Sequence, residues 1–193
     1  MRLFVAIELP TDLRRLLEEH SDTLSSMIHT RIIRWVRPEG IHLTLKFLGD
    51  VSDGKLEAVK AAVRTVGPHF SPFEYSVGNL GCFPNARRPR VIWVGVQEPS
   101  GRLKALQAEI EQAYQTLGFE KERRSFHPHL TLGRVRRGVS HAEHQAVADA
   151  IINVAPISLG DYRVEEICLY RSELKPTGAV YTKLLVVRLE KPS

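Results

Sequence analysis

The chain has 193 residues, 43% of them hydrophobic and 25% charged, and carries a formal net charge of +5. This length suits one domain, or two small lobes packed closely together, with a full hydrophobic core. No apolar run approaches the roughly 18 residues that span a bilayer, and two cysteines, Cys82 and Cys168, make neither a disulfide framework nor a CxxC metal site. Membrane-spanning and disulfide-rich classes are therefore excluded, and the positive charge favours a polyanionic partner.

Hydrophobic periodicity predicts alternating strands and helices in the first half of the chain. Strands are predicted over 2–9, 32–36, 41–48 and 72–80, and helices over 12–28 and 54–66. Thr11 or Asp12 is expected to cap the first helix, and Ser52 or Asp53 the second. The sequence Pro38-Glu39-Gly40 predicts a turn before the third strand.

The second half of the chain follows a similar order. Strands are predicted over 91–96, 126–135, 157–169 and 179–189, and helices over 101–117 and 140–153. Gly118 is positioned to end the first of these helices, and a charged connection follows over 119–125. The sequence Lys175-Pro176-Thr177-Gly178 predicts a turn between the last two strands.

One tetrapeptide occurs twice, as His42-Leu43-Thr44-Leu45 and as His129-Leu130-Thr131-Leu132, with 87 residues (129 − 42) between the histidines. Because strand side chains alternate, each copy has histidine and threonine on one face and leucines on the other. In each half the order is strand, helix, motif strand, helix, strand. We infer a duplicated architecture with approximate two-fold symmetry that points both histidines into one cleft.

Two imidazoles in one cleft suit paired acid–base catalysis, because histidine titrates near neutral pH. A neutral ring takes a proton from water, and a protonated ring gives one to a leaving oxygen. Thr44 and Thr131 can donate hydroxyl hydrogen bonds to a phosphodiester between them. The chain has no Walker-type glycine loop and no evident carboxylate cluster for a divalent metal, which favours phosphoryl chemistry without metal or cofactor.

The two tetrapeptides resemble the paired HxTx motifs of the 2H phosphoesterase superfamily. Further stretches are similar to its RNA 2′,3′-cyclic phosphodiesterase branch, also called the 2′-5′ RNA ligase or LigT-like family. These stretches are residues 43–49 (LTLKFLG), 89–95 (PRVIWVG), 127–134 (HPHLTLGR) and 169–172 (LYRS). The resemblance covers essentially the whole chain.

This resemblance implies an α+β, bilobal, duplicated fold with two antiparallel β-sheets and flanking helices around a central cleft. Residues 1–193 would form a single domain of two interleaved, pseudo-symmetric lobes. The implied activity is hydrolysis of RNA 2′,3′-cyclic phosphate ends to 2′-phosphomonoesters, with ATP-independent 2′-5′ RNA ligation as a reverse-type reaction. By motif position, His42 is the proton donor, His129 is the proton acceptor, and Thr44 and Thr131 bind the phosphate.

Several residues near the motifs admit two interpretations. Arg134 is a candidate phosphate clamp, although simple alternation places it off the face of the second motif histidine. Lys46 is predicted on the face of the first motif histidine, where it either meets phosphate or is solvated. The loop 82–90 is either a phosphate and base platform or a solvated loop, and its candidate residues are Phe83, Arg87, Arg88 and Arg90.

Alternatives remain open for metal binding and for function. In one interpretation of His127, it forms a zinc ligand set with His129 and His42. In the other interpretation, His127 only supports the start of the strand before Pro128. The remaining histidines are expected at the surface or in the core: His20, His29, His69, His141 and His144. The alternative functions are a non-catalytic RNA-end binding module and a 2H phosphodiesterase for another cyclic or 2′-5′ nucleotide.

The expected partner is RNA with a 2′,3′-cyclic phosphate end, or a cyclic nucleotide, bound by a monomer that does not associate with membranes. The N-terminal segment meets Glu8 and then Pro10 too soon for a signal peptide. The sequence thus predicts a cytoplasmic protein whose two thiols are reduced.

Overall fold

The computed structural model describes residues 1–28, 31–176 and 178–190, so His29 and the turn residue Thr177 lie outside it. The strands in these ranges are β1 (Arg2–Ile7), β2 (Ile33–Trp35), β3 (Leu43–Asp50), β4 (Phe73–Phe83), β5 (Val91–Gln97), β6 (His129–Val135), β7 (Ser158–Val164), β8 (Glu166–Lys175) and β9 (Gly178–Arg188). The helices are α1 (Thr11–Met27), α2 (Leu56–Val66), α3 (Arg102–Gln115) and α4 (His141–Val154). Within the described ranges, no helix is long and apolar enough to cross a membrane.

The strands form two antiparallel sheets, which confirms the predicted α+β class. The first sheet has the order β3-β1-β8-β9, and the second has the order β2-β6-β5-β4-β7. The chain crosses between them: β2 precedes β3 but pairs with β6, and β8 and β9 return to pair beside β1. Each sheet therefore contains segments from both halves of the chain and holds one motif strand.

The helices are exchanged between the sheets in the same way. Helices α2 and α3 pack together, with α3 on β3 of the first sheet, whereas α1 and α4 pack together, with α1 on β6 of the second. Leu13, Leu17 and Leu24 of α1 are fully buried, because a spacing of four or seven residues returns to the same helix face. The first-half helix α1 thus supports the second motif strand, and the second-half helix α3 supports the first.

Some predicted boundaries and caps are wrong. The strand predicted over 157–169 is two strands, β7 and β8, because the chain leaves one sheet and enters the other near Glu165. Helix α1 has Pro10 at its N-cap position, and neither Thr11 nor Asp12 is in that position. A 3₁₀ turn over Asp53–Lys55 precedes α2, and Ser52 at its start makes no capping hydrogen bond through its side chain.

Candidate active site

The two motif strands share one irregularity, which lies at the same motif position in each. In the pairing of β3 with β1, Leu45 is skipped, and in the pairing of β6 with β5, Leu132 is skipped. Each of these leucines is the fourth residue of its tetrapeptide. A bulge of this kind adds one residue to a strand and reverses the alternation of side chains beyond it. Predictions by simple alternation are therefore valid within each tetrapeptide and fail after it.

In the first motif strand, the bulge sends Lys46 away from the His42 face, so its predicted position was wrong. Lys46 is buried against α3, where its Nζ lies 2.8 Å from Glu111 Oε2 and 3.0 Å from the carbonyl oxygen of Glu120. The next residue, Phe47, instead takes the His42 face and is 68% exposed there. Lys46 is thus a buried structural cation.

In the second motif strand, the same reversal brings Arg134 onto the face of His129 and Thr131, contrary to simple alternation. Arg134 is exposed, on the side of the strand that faces away from the core. The buried residues of this strand are Leu130, Leu132, Gly133 and Val135. Its positive charge is among the influences that lower the pKa of the His129 ring. The candidate phosphate clamp therefore lies beside the motif.

The His42 imidazole lies just before β3 and is half-buried among aromatic rings. It stacks on Phe4 with a centroid separation of 4.6 Å, and it meets the edge of Tyr181 at 5.0 Å. Burial lowers the pKa of His42 to about 4, and the positive charge of Arg14 acts in the same direction. In the free protein His42 is therefore a neutral ring at neutral pH, held in place by its stacking partners.

The His129 imidazole is oriented by the backbone just before it. Its Nδ1 lies 2.7 Å from the carbonyl oxygen of His127. Because a carbonyl only accepts hydrogen bonds, Nδ1 donates, and in the neutral ring Nε2 carries the lone pair. Burial lowers the pKa of His129, the bond to the His127 carbonyl raises it, and the charges of Arg134 and His127 lower it. The result is a neutral ring with a defined tautomer.

Aromatic side chains from the neighbouring hairpin surround His129. Phe83 meets the ring edge to face at 5.1 Å, and the Trp93 centroid lies 6.4 Å away. Trp93 pairs with Thr131 across the strands and lies over Gly81, where any Cβ would overlap the indole. A glycine at position 81 is therefore needed to seat the tryptophan beside the motif.

Tyr181 and Arg134 connect the surroundings of the two histidines. Tyr181 lies on β9 of the first sheet and contacts His42. Arg134 lies on β6 of the second sheet, and its charge lowers the pKa of His129. The charge of Arg134 also lowers the pKa of Tyr181 against the larger effect of burial, which raises it. The motif strands β3 and β6 are themselves in contact. The two sheets thus present one shared site.

The remaining candidate residues are those of the loop 82–90, the zinc alternative and the other histidines. Arg87 and Arg88 are exposed on the loop that follows β4, whose last residue, Phe83, is the ring in contact with His129. Among the described residues, the group able to hold a metal ion is Glu8, Glu166 and Cys168, so the ligand set of the zinc alternative is not assembled. The four other described histidines lie on or next to helices, at the surface or in the core as expected: His20, His69, His141 and His144.

Sequence reasoning missed the aromatic partners of His42 and the basic residues around Tyr181. Phe4 and Tyr181 reach His42 from β1 and β9, which are distant from the motif in sequence. Arg34 lies on β2, directly opposite Arg134. No local pattern marks these residues, because their neighbours are set by strand pairing between the two halves.

Comparison with known proteins shows which family has this sequence and fold. Residues 34–176 match the family described as the 2′-5′ RNA ligase superfamily. A protein of Methanothermobacter thermautotrophicus named RNA 2′,3′-cyclic phosphodiesterase is 38% identical over 98% of this chain and 99% of its own length. A protein of Archaeoglobus fulgidus with the same name is 35% identical over 96% of this chain and 99% of its own length.

Solved structures agree with the sequence matches. The crystal structure of TT0787 from Thermus thermophilus superposes with a TM-score of 0.81 at 29% identity, covering 98% of both chains. Escherichia coli LigT complexed with 3′-AMP superposes with a TM-score of 0.77 at 26% identity, again covering 98% of both chains. The likeness extends over nearly the whole of each chain.

Proposed function

We propose that this chain, which belongs to the 2′-5′ RNA ligase superfamily, hydrolyses 2′,3′-cyclic phosphates at RNA ends to 2′-phosphomonoesters. The observation that carries the proposal is the pair of identical tetrapeptides, each bulged at its fourth residue and each placing its imidazole among aromatic rings at one site. Relatives that span the whole chain and bear the name RNA 2′,3′-cyclic phosphodiesterase support it.

In the proposed reaction, His129 is the general base. Its Nδ1 is committed to the His127 carbonyl, so Nε2 is free to take a proton from the attacking water. The water oxygen bonds to phosphorus while the bond from phosphorus to the 3′ oxygen breaks. The phosphate then remains on the 2′ oxygen.

His42 is the general acid that protonates the departing 3′ oxygen. Its pKa of about 4 in the free protein leaves it neutral at neutral pH. A bound phosphate anion favours the imidazolium, because an opposite charge nearby stabilises the charged form of a group. Substrate binding therefore shifts His42 toward the charged form that the reaction needs.

Thr44, Thr131 and Arg134 bind the phosphate in this proposal. Each threonine shares a face with its motif histidine, and Arg134 joins them through the bulge in β6. A guanidinium matches the geometry of phosphate oxygens and stays charged throughout. Its interaction strengthens as negative charge builds on the phosphoryl oxygens in the transition state.

We further propose that residues 1–193 act as one monomeric domain of two interleaved lobes. The exchange of β2, of the β8–β9 hairpin and of helices α1 and α3 between the sheets supports this proposal. The same site also suits 2′-5′ joining, in which the 5′-hydroxyl of a second RNA replaces water. Because the matching family is described as the 2′-5′ RNA ligase superfamily, this joining reaction is the second activity to test.

The deciding experiment incubates the protein with RNA ending in a 2′,3′-cyclic phosphate, with and without EDTA, and identifies the terminal phosphate by ³¹P NMR. We expect a 2′-phosphomonoester, because the 3′ oxygen is the leaving group. Binding without turnover would favour the RNA-end binding module. Turnover only of another cyclic or 2′-5′ nucleotide would favour a different substrate, and loss of activity on chelation would favour a metal site.

A further inference from the structure

Two arginines face each other across the second sheet beside the proposed site. Arg34 of β2 and Arg134 of β6 are direct partners in the antiparallel pairing, and both are exposed. Directly opposed residues have Cβ atoms about 4.5–5.5 Å apart on the same face, and like charges in that position destabilise the sheet. In the described part of the chain, neither arginine forms an ion pair with a carboxylate. A bound anion would relieve this repulsion.

The Arg34 side chain extends across to the hairpin of the first sheet. Its Nη2 lies 3.8 Å from the point that a Cβ would occupy on Gly178, where β9 begins. Cε2 of Tyr181, three residues farther along β9, lies 3.5 Å from the point that a Cβ would occupy on Gly40, in the turn before the first motif. Arg34 of the second sheet therefore reaches the start of β9 in the first sheet.

A third arginine joins this group from the first sheet. Arg2 alternates with Phe4 along β1, so its side chain is on the face that Phe4 shares with His42. Burial raises the pKa of Tyr181, and the charges of Arg134, Arg2 and Arg34 oppose that effect. Arg2 of the first sheet and Arg34 and Arg134 of the second thus lie on strand faces next to His42 and Tyr181, whose rings are 5.0 Å apart.

We propose that Arg34, Arg2 and Tyr181 form a second phosphate subsite, which binds the internucleotide phosphate on the 5′ side of the terminal nucleotide. The inference rests on the proposed function, because that phosphate exists only when the cyclic phosphate ends an RNA strand. The threonines beside the histidines hold the cyclic phosphate. Arg34 lies one strand beyond Arg134, a lateral step of about 4.8 Å, so it serves the neighbouring phosphate.

The test compares two substrates that differ by one nucleotide, so that only the longer one carries an internucleotide phosphate. These are adenosine 2′,3′-cyclic phosphate and the dinucleotide ApA ending in the same cyclic phosphate. The readout is the ratio of their kcat/KM values for the wild type, for Arg34→Gln and for Arg64→Gln, an exposed arginine on α2 as the matched control. We expect Arg34→Gln to lower the dinucleotide preference about 10-fold or more, in the range of a charged hydrogen bond. Arg64→Gln should keep the wild-type ratio.

The possible outcomes separate this inference from the proposed function. A preference for the dinucleotide that falls in Arg34→Gln, and is partly restored in Arg34→Lys, supports the subsite. If the variant hydrolyses both substrates with the wild-type ratio, or loses both in equal proportion, the subsite is wrong while the proposed function stands. If the wild type hydrolyses neither substrate, the proposed function itself fails.

Discussion

The buried pair of Lys46 and Glu111 allows a quantitative test of how the first motif strand is built. Nζ and Oε2 are 2.8 Å apart, and the two side chains are only 3% and 6% exposed. Removing one partner of such a pair leaves an uncompensated charge in the interior, which costs about 3–5 kcal/mol. Lys46→Met should therefore lower the free energy of unfolding by that amount. With an m-value of about 2 kcal/mol/M, the urea midpoint falls by about 1.5–2.5 M.

The double variant Lys46→Met/Glu111→Leu is the control, because it removes both charges together. Replacing a whole buried ion pair by apolar side chains is often neutral or stabilising, so most of the lost stability should return. Urea unfolding followed by circular dichroism measures all of these variants. Because Lys46 is buried against α3 and away from the His42 face, the folded fraction of Lys46→Met should keep the wild-type kcat/KM on a cyclic phosphate.

The opposite pattern would refute this assignment. If Lys46→Met keeps the wild-type urea midpoint and loses turnover, Lys46 contacts the phosphate and the bulge at Leu45 does not set the register. If the double variant is as unstable as the single one, the cost is not that of an unpaired charge. In that case the hydrogen bond from Lys46 to the Glu120 carbonyl, which fixes the connection to the second motif strand, would carry the stability.

Three further predictions concern the histidines. His42→Ala and His129→Ala should each lose about 10²- to 10⁴-fold in kcat, the usual contribution of a general acid or base, with an unchanged circular dichroism spectrum; near wild-type turnover in either would remove it from the mechanism. The pH profile of kcat/KM, which reports the free enzyme, should be bell-shaped with its optimum below 6.5, because both ring pKa values are lowered. Arg14→Gln removes a charge that lowers the pKa of His42, so this variant should have its optimum at higher pH. Arg15 is an exposed neighbour, and Arg15→Gln should leave the optimum in place. A shift of the optimum to lower pH in Arg14→Gln would contradict the assignment.

The sequence predicts the site up to the fourth residue of each motif and no further. Within His-Leu-Thr-Leu, alternation assigns the faces correctly, because the strand is regular there. Lys46 and Arg134 were both placed on the wrong face, because a bulge depends on pairing with another strand and leaves no mark in local hydrophobicity.

Long-range pairing also explains the errors in the fold. Val164 and Glu166 belong to different sheets, yet the apolar pattern continues through both, so one strand was predicted where two exist. The interleaving of the halves likewise brings Arg34 beside Arg134 and Tyr181 beside His42. The duplication could be inferred from the repeated tetrapeptide, whereas the partners that each copy acquires come from the other end of the chain.

The matched bulges have a consequence for how a substrate is oriented. Two identical His-x-Thr strands, taken alone, would accept a cyclic phosphate equally well in either of two directions. Five residues after each histidine, however, the bulge presents a different side chain to the site: the phenyl ring of Phe47 in one strand and the guanidinium of Arg134 in the other. For the proposed reaction, we expect this difference outside the motifs to set the polarity of the bound strand, and with it which histidine acts as acid and which as base.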